Sequence, residues 1–163
     1  MKKLMFIMMM LLGFVATSSS VYAQSVSVQS AEEIEGIYTG KLSKVYMNSD
    51  KPEVSPIETV VTGNGDGTYN FHIDAFQVGK MPGTITVDAK NIKIPSANST
   101  FTATCTDAVN LKILGFIPAN YTANVTGSIE NGKLTYTLTV NAEYSNAPFT
   151  AIVTFEGIWD SDL

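Results

Sequence analysis

One histidine, one cysteine and 15 acidic residues are the raw material from which this chain could build a catalytic or metal site. His72 stands between Phe71 and Ile73 in a stretch where apolar and polar residues alternate. In a strand that alternation puts His72 on the face of Asn70, opposite Tyr69, Phe71 and Ile73, and points it to solvent. A general acid or base needs a positioned partner, and a zinc site needs several nitrogen or sulfur ligands. One His and one Cys far apart in sequence supply neither. Cys105 alternates with threonines alongside Phe101 and Ala103 and reads as a small buried hydrophobe on the inner face of a strand. No disulfide can form within the chain. Asn64-Gly65-Asp66-Gly67 has oxygen donors at alternate positions, as a calcium loop would, but lacks the third ligand and the closing Glu. A hairpin turn accounts for both glycines. The expectation is a protein that is not an enzyme, with no cofactor and no metal.

The segment that asks for another kind of explanation is Val109 to Pro118. Leu111, Ile113, Leu114, Phe116 and Ile117 crowd around Gly115 and end at Pro118. This is too apolar for an ordinary exposed loop. It is expected to join two strands and either to cap the end of a core, to act as a lid over a ligand entrance, or to form a partner patch.

The elements that would position these residues are strands. From Ile34 onward the period is two. Expected strands are Ile37 to Met47, Ile57 to Thr62, Thr68 to Ile73, Gly83 to Asp88, Thr100 to Thr106, Tyr121 to Ile129, Leu134 to Ala142 and Phe149 to Ile158. Asn64 to Gly67 and Glu130-Asn131-Gly132-Lys133 are tight turns. Leu134, Tyr136, Leu138 and Val140 share one face, matched by Phe149, Ala151, Val153 and Phe155. No helical period is sustained. Eight strands joined by short turns point to an all-β fold, an eight-stranded antiparallel up-and-down β-barrel, which leaves no open sheet edge. A sandwich is the alternative, and would show longer crossovers.

Met1 to Ala23 has the plan of a cleavable signal peptide. Lys2 and Lys3 precede an apolar run from Leu4 to Val15, and Val21-Tyr22-Ala23 ends in small residues. The run is too short for a membrane-spanning helix, and with no Cys there the start cannot take a lipid. The protein is therefore expected to be exported, periplasmic or secreted, not membrane-spanning, and to begin at Gln24. Gln24 to Glu33 is a polar lead-in, and the domain is expected to fill 34–163. Ten lysines and no arginine face 15 acidic residues. Without Lys2 and Lys3 the net charge is −7. An acidic chain without arginine does not suit a phosphate backbone, so no nucleic-acid partner is expected.

Four short stretches carry a resemblance: Gly36-Ile37-Tyr38-Thr39-Gly40, Gly65-Asp66-Gly67-Thr68-Tyr69-Asn70-Phe71, Met81-Pro82-Gly83 and Leu114-Gly115-Phe116-Ile117-Pro118. In their order and spacing, over about Ile34 to Trp159, the chain resembles the calycin-like β-barrel family of exported bacterial proteins, lipocalin- and avidin-like in shape. Lipocalins proper carry Gly-x-Trp in the first strand, packed by an arginine. Here Tyr38 stands at the Trp position and there is no arginine. The resemblance implies a calycin/lipocalin-like barrel and leaves the activity open. A barrel of eight strands is filled by its own side chains or holds one small ligand. The first expectation is a small apolar ligand, met by Phe116, Ile117, Phe101 and Tyr121. The alternative is a secreted interaction protein, such as a protease inhibitor acting through its surface or the arm Gln24 to Glu33. An enclosed volume above roughly 300 Å³ would favour the ligand, and a packed core the surface.

Overall fold

Alternating Thr or Asn with Val, Leu, Ile, Tyr and Phe gives each segment one wet and one dry face, the requirement of an antiparallel strand over a core. The computed structural model describes residues 34–113, 117–144 and 146–160; the expected signal segment Met1 to Ala23 and the expected lead-in Gln24 to Glu33 lie outside them. Among the described residues the strands are β1 (Gly36–Met47), β2 (Asp50–Lys51), β3 (Val54–Gly63), β4 (Thr68–Phe76), β5 (Gly83–Lys93), β6 (Ser99–Ile113), β7 (Ile117–Glu130), β8 (Lys133–Tyr144) and β9 (Ala147–Trp159). In one sheet β1 pairs antiparallel with β3, each strand from β3 to β8 pairs antiparallel with the next, and β9 returns to pair with β1 from Tyr38↔Trp159 to Met47↔Ala151. The two-residue β2 pairs with β1 beyond the end of β3. The result is a closed up-and-down barrel of eight long strands, not a sandwich.

The strands are longer than their period-two stretches, and β-bulges are the reason. In β4 the register with β5 slips between Ile73 and Phe76, so Asp74 and Ala75 both face out and Phe76 turns back in. In β5 the slip falls at Lys90 and Asn91, with Asn91 at φ 59°, and Ile92 returns to the core. In β6 it falls between Cys105 and Val109, with Asp107 at φ 52°, and Ala108 and Leu111 return to the core. The expected ends at Ile73, Asp88 and Thr106 are therefore corrected. So is the reading of Val109 to Pro118 as a connecting loop. Val109–Ile113 closes β6 and Ile117–Pro118 opens β7, paired Ile113↔Ile117 and Lys112↔Pro118.

The tight turns match their sequence. Asn131 and Gly132 have φ of 51° and 74°, the pair of positive values that a two-residue hairpin turn requires. Asp66 Oδ1 accepts from the Thr68 amide at 3.0 Å and from its hydroxyl at 2.6 Å, and these bonds lower the Asp66 pKa. That carboxylate is engaged in turn-making.

One half of the barrel is filled by rings. Phe71 meets Phe101 edge-on, centroids 5.5 Å apart, and Tyr136 at 5.1 Å, and Tyr136 meets Phe155 at 5.2 Å. Gly127 on β7 leaves the space that the Phe101 ring takes; a Cβ there would collide with that ring and with the backbone of Thr135. Tyr38 is fully buried, and its hydroxyl donates to the Ile34 carbonyl at 3.0 Å, tying the entry of the chain across this end. Burial without a charge partner raises the Tyr38 pKa to about 12. Thr59, with no exposure, shares a 2.9 Å hydrogen bond with the Tyr136 hydroxyl inside the barrel.

Candidate functional site

Two steps along each strand from this aromatic layer, the inward residues change character. Phe71 is followed by Ile73, Tyr136 by Leu138, and Phe155 is preceded by Val153. These three, with Val87, form the floor of a pocket in the other half of the barrel. Its rim is Met47, Phe76, Leu111, Tyr121 and Phe149, from the ends of five different strands. Tyr121 and Phe149 stack at a tilt, centroids 5.8 Å apart. Every lining residue is apolar apart from the phenol of Tyr121. The bulges of β4 and β6 are what bring Phe76 and Leu111 to the wall. Room for water-sized bodies in the pocket is about 30 Å³. That suffices for a water or two and not for an organic molecule without movement of the rim. The barrel is thus polarised: sealed by rings at one end, apolar and shallowly open at the other.

Of the four residues expected to meet a ligand, Tyr121 stands in the pocket wall. Phe101 does not: it lies 4% exposed against Phe71, 12 residues before Ile113 on β6. At roughly 3.3 Å per residue that is on the order of 30 Å or more along the strand from the Ile113–Ile117 hairpin. The backbone of Ile117 pairs with Ile113; its side chain, and Phe116 entirely, lie outside the described residues. Sequence reasoning missed Met47 and Phe76, because a strand end or a bulge hides their inward facing from a period-two pattern; Leu111 was legible only as part of the apolar Val109 to Pro118 segment. Phe149 was legible as an inner-face aromatic.

The outer face carries the polar constellation. His72 Nδ1 lies 2.7 Å from Asp88 Oδ1 on β5, and Nε2 lies 3.1 Å from Asp74 Oδ1. Asn110 donates to the second Asp88 oxygen at 3.3 Å. The bond to Asp88, then that to Asp74, raises the His72 pKa against the opposing effect of partial burial. His72 is 42% exposed. Its outward direction agrees with the alternation, while the carboxylates on both nitrogens were not legible. Both carboxylates favour the charged form of the ring. Among the described residues no group of three His, Cys, Asp or Glu side chains could hold a metal ion. Cys105 is buried, donates to the Lys90 carbonyl at 3.3 Å, and burial raises its thiol pKa.

The closed eight-strand meander, with Tyr38 buried near the start of its opening strand and an apolar mouth at one end, agrees with the comparison against family models. The model of the calycin-like beta-barrel domain matches residues 34–158. The chain belongs to the calycin-like β-barrel family. No curated protein and no solved structure matches it. Tyr38 is packed by the barrel interior, and its hydroxyl donates to the Ile34 carbonyl.

Proposed function

We infer that this protein is an exported, lipocalin-like binding protein that takes a small apolar ligand end-on through the barrel mouth. The observation that carries the reading is the wall itself: aliphatic and aromatic side chains from most of the strands converge on one end, with no charged residue among them. Such a surface gains from covering apolar area at about 25 cal/mol per Å². The enclosed volume, about 30 Å³, falls short of the roughly 300 Å³ that favours a preformed ligand cavity, so the ligand is a slender one, such as a single alkyl chain or one ring, admitted only as Met47 and Phe149 give way. Met is suited to that, having three rotatable bonds and no branch. Export is supported by the signal-like pattern of Met1 to Ala23. N-terminal sequencing of the exported protein is expected to give Gln24; an intact Met1 in the membrane fraction would contradict it.

The test is a titration with a neutral hydrophobic fluorophore. Saturable binding at one site is expected, weakened at least about tenfold by Leu111→Asp, since a carboxylate placed in the wall must be desolvated by any apolar occupant. Absence of saturable binding by the folded wild type would remove the reading. The same 30 Å³ favours a second reading, in which the mouth receives one side chain of a partner protein and no free ligand. Under it, the mouth residues would still be needed, but fluorophore and free small molecules would fail to saturate.

A further inference from the structure

We propose that the ligand is an anionic single-chain amphiphile, its tail in the apolar mouth and its negative headgroup held at the rim by Lys51 and Lys80. The inference rests on the apolar-site reading above and adds the headgroup. A cleft of about 440 Å³ adjoins the mouth and shares Met47 and Phe149 with it as a common wall. Its other sides are Lys51, Pro52, Val78 and the turn Gly79-Lys80-Met81. No carboxylate lines either the cleft or the mouth. Elsewhere the surface clefts do carry acid: Glu58 and Asp74 line one, Asp88 another. On a chain whose formal net charge is −5, two lysines in a cleft without acid beside this apolar mouth make a local reversal of sign.

Both lysines are placed by ordered backbone. The Met81 amide donates to the Val78 carbonyl at 3.0 Å, closing a turn around Gly79 and Lys80. Gln77 Nε2 donates to the Met81 carbonyl at 2.6 Å, and the Gly83 amide to the same oxygen at 2.9 Å. Val78, 2% exposed, anchors the turn in the core, and a Cβ on Gly79 would touch Pro52 at 3.5 Å. Lys51 sits in β2, paired with Val45 of β1. Its ammonium donates to the Ser49 hydroxyl at 2.7 Å, a neutral acceptor that leaves its charge uncompensated. The nearby acids are engaged or turned away: Glu53 is 3.1 Å from Lys41, and Asp50 alternates with Lys51 along the strand and so faces the other side. A chain entering past Met47 and Phe149 would leave its head in the cleft that Lys51 and Lys80 both line.

The experiment compares decanoate, decanol and decyltrimethylammonium by displacement of the neutral fluorophore, in the wild type and in Lys51→Gln/Lys80→Gln. Decanoate is expected to bind about three- to tenfold more tightly than decanol, the size that two exposed ion pairs provide, and the cation more weakly than either. The double variant should lose that preference while its affinity for decanol stays within about twofold, and Lys51→Glu/Lys80→Glu should invert it toward the cation. Raising the salt should narrow the gap in the wild type by screening. Decanol binding as tightly as decanoate, or a double variant that weakens both alike, would overturn the headgroup assignment and leave the apolar site standing. Binding of none of the three would overturn both.

Discussion

At the scale of single residues, one buried hydroxyl pair and one surface imidazole are informative because of where they lie. The Thr59 and Tyr136 hydroxyls satisfy each other inside the barrel, and removing one strands the other in an apolar interior. Tyr136→Phe is expected to cost about 1–3 kcal/mol, and Thr59→Val a similar amount. The double substitution should cost clearly less than their sum, because no orphaned hydroxyl remains. Denaturant melts of the three variants check this; strict additivity would mean the pair is not coupled. His72 is the opposite case, a surface group held by Asp88 and Asp74. Its folded pKa is raised, so the stability it contributes is fully present below its unfolded value of about 6.5 and is lost as pH rises through the folded value. With His72 partly solvated the effect is small. His72→Ala should change stability by under about 1 kcal/mol, with its cost confined to the acid side of that window. An NMR titration should find the His72 midpoint above 6.5, and Asp88→Asn should lower it.

Among the elements, closure depends on the seam between β1 and β9. Gly40 pairs with Gly157 there, and a Cβ at Gly40 would run into the backbone of Glu156 and Gly157. Gly40→Ala should therefore push the two strands apart and cost about 1–3 kcal/mol. Amide exchange should show the loss along both seam strands before it reaches β6 and β7. In the same strand β9, Phe155 is fully buried against Tyr136. Phe155→Ala is expected to cost about 3–5 kcal/mol. A smaller loss than that of His72→Ala would contradict the inner and outer faces assigned to β9 and β4. Those faces were legible in the sequence wherever alternation is unbroken: Leu134, Tyr136, Leu138 and Val140 are all buried. Legibility failed at the bulges. Asn91 and Asp107 each adopt positive φ and shift the register. Beyond them a period-two reading points Ile92 and Ala108 the wrong way and ends the strand too early. The same blind spot turned the Val109–Ile113 end of β6 into an expected loop.

For the whole molecule, the barrel has two unlike ends. Phe71, Phe101, Tyr136 and Phe155 fill one, and Tyr38 ties the chain across it through Ile34. The other ends in an apolar mouth whose rim gathers the ends of β1, β4, β6, β7 and β9. The alternation marked Phe71, Phe101, Tyr136, Phe149 and Phe155 as inward and missed Phe76, and it did not sort the inward aromatics between the ends. That sorting depends on register across eight strands, and Phe101 and Tyr121 look alike until β6 and β7 are aligned. The measurement that bears most directly on ligand binding at the mouth is an NMR titration of the labelled protein with decanol. Saturable shifts are expected at Leu111, Tyr121, Leu138, Val140 and Phe149, with Phe71 and Phe101 unmoved. Shifts centred on Phe71 and Phe101, or none that saturate, would contradict it.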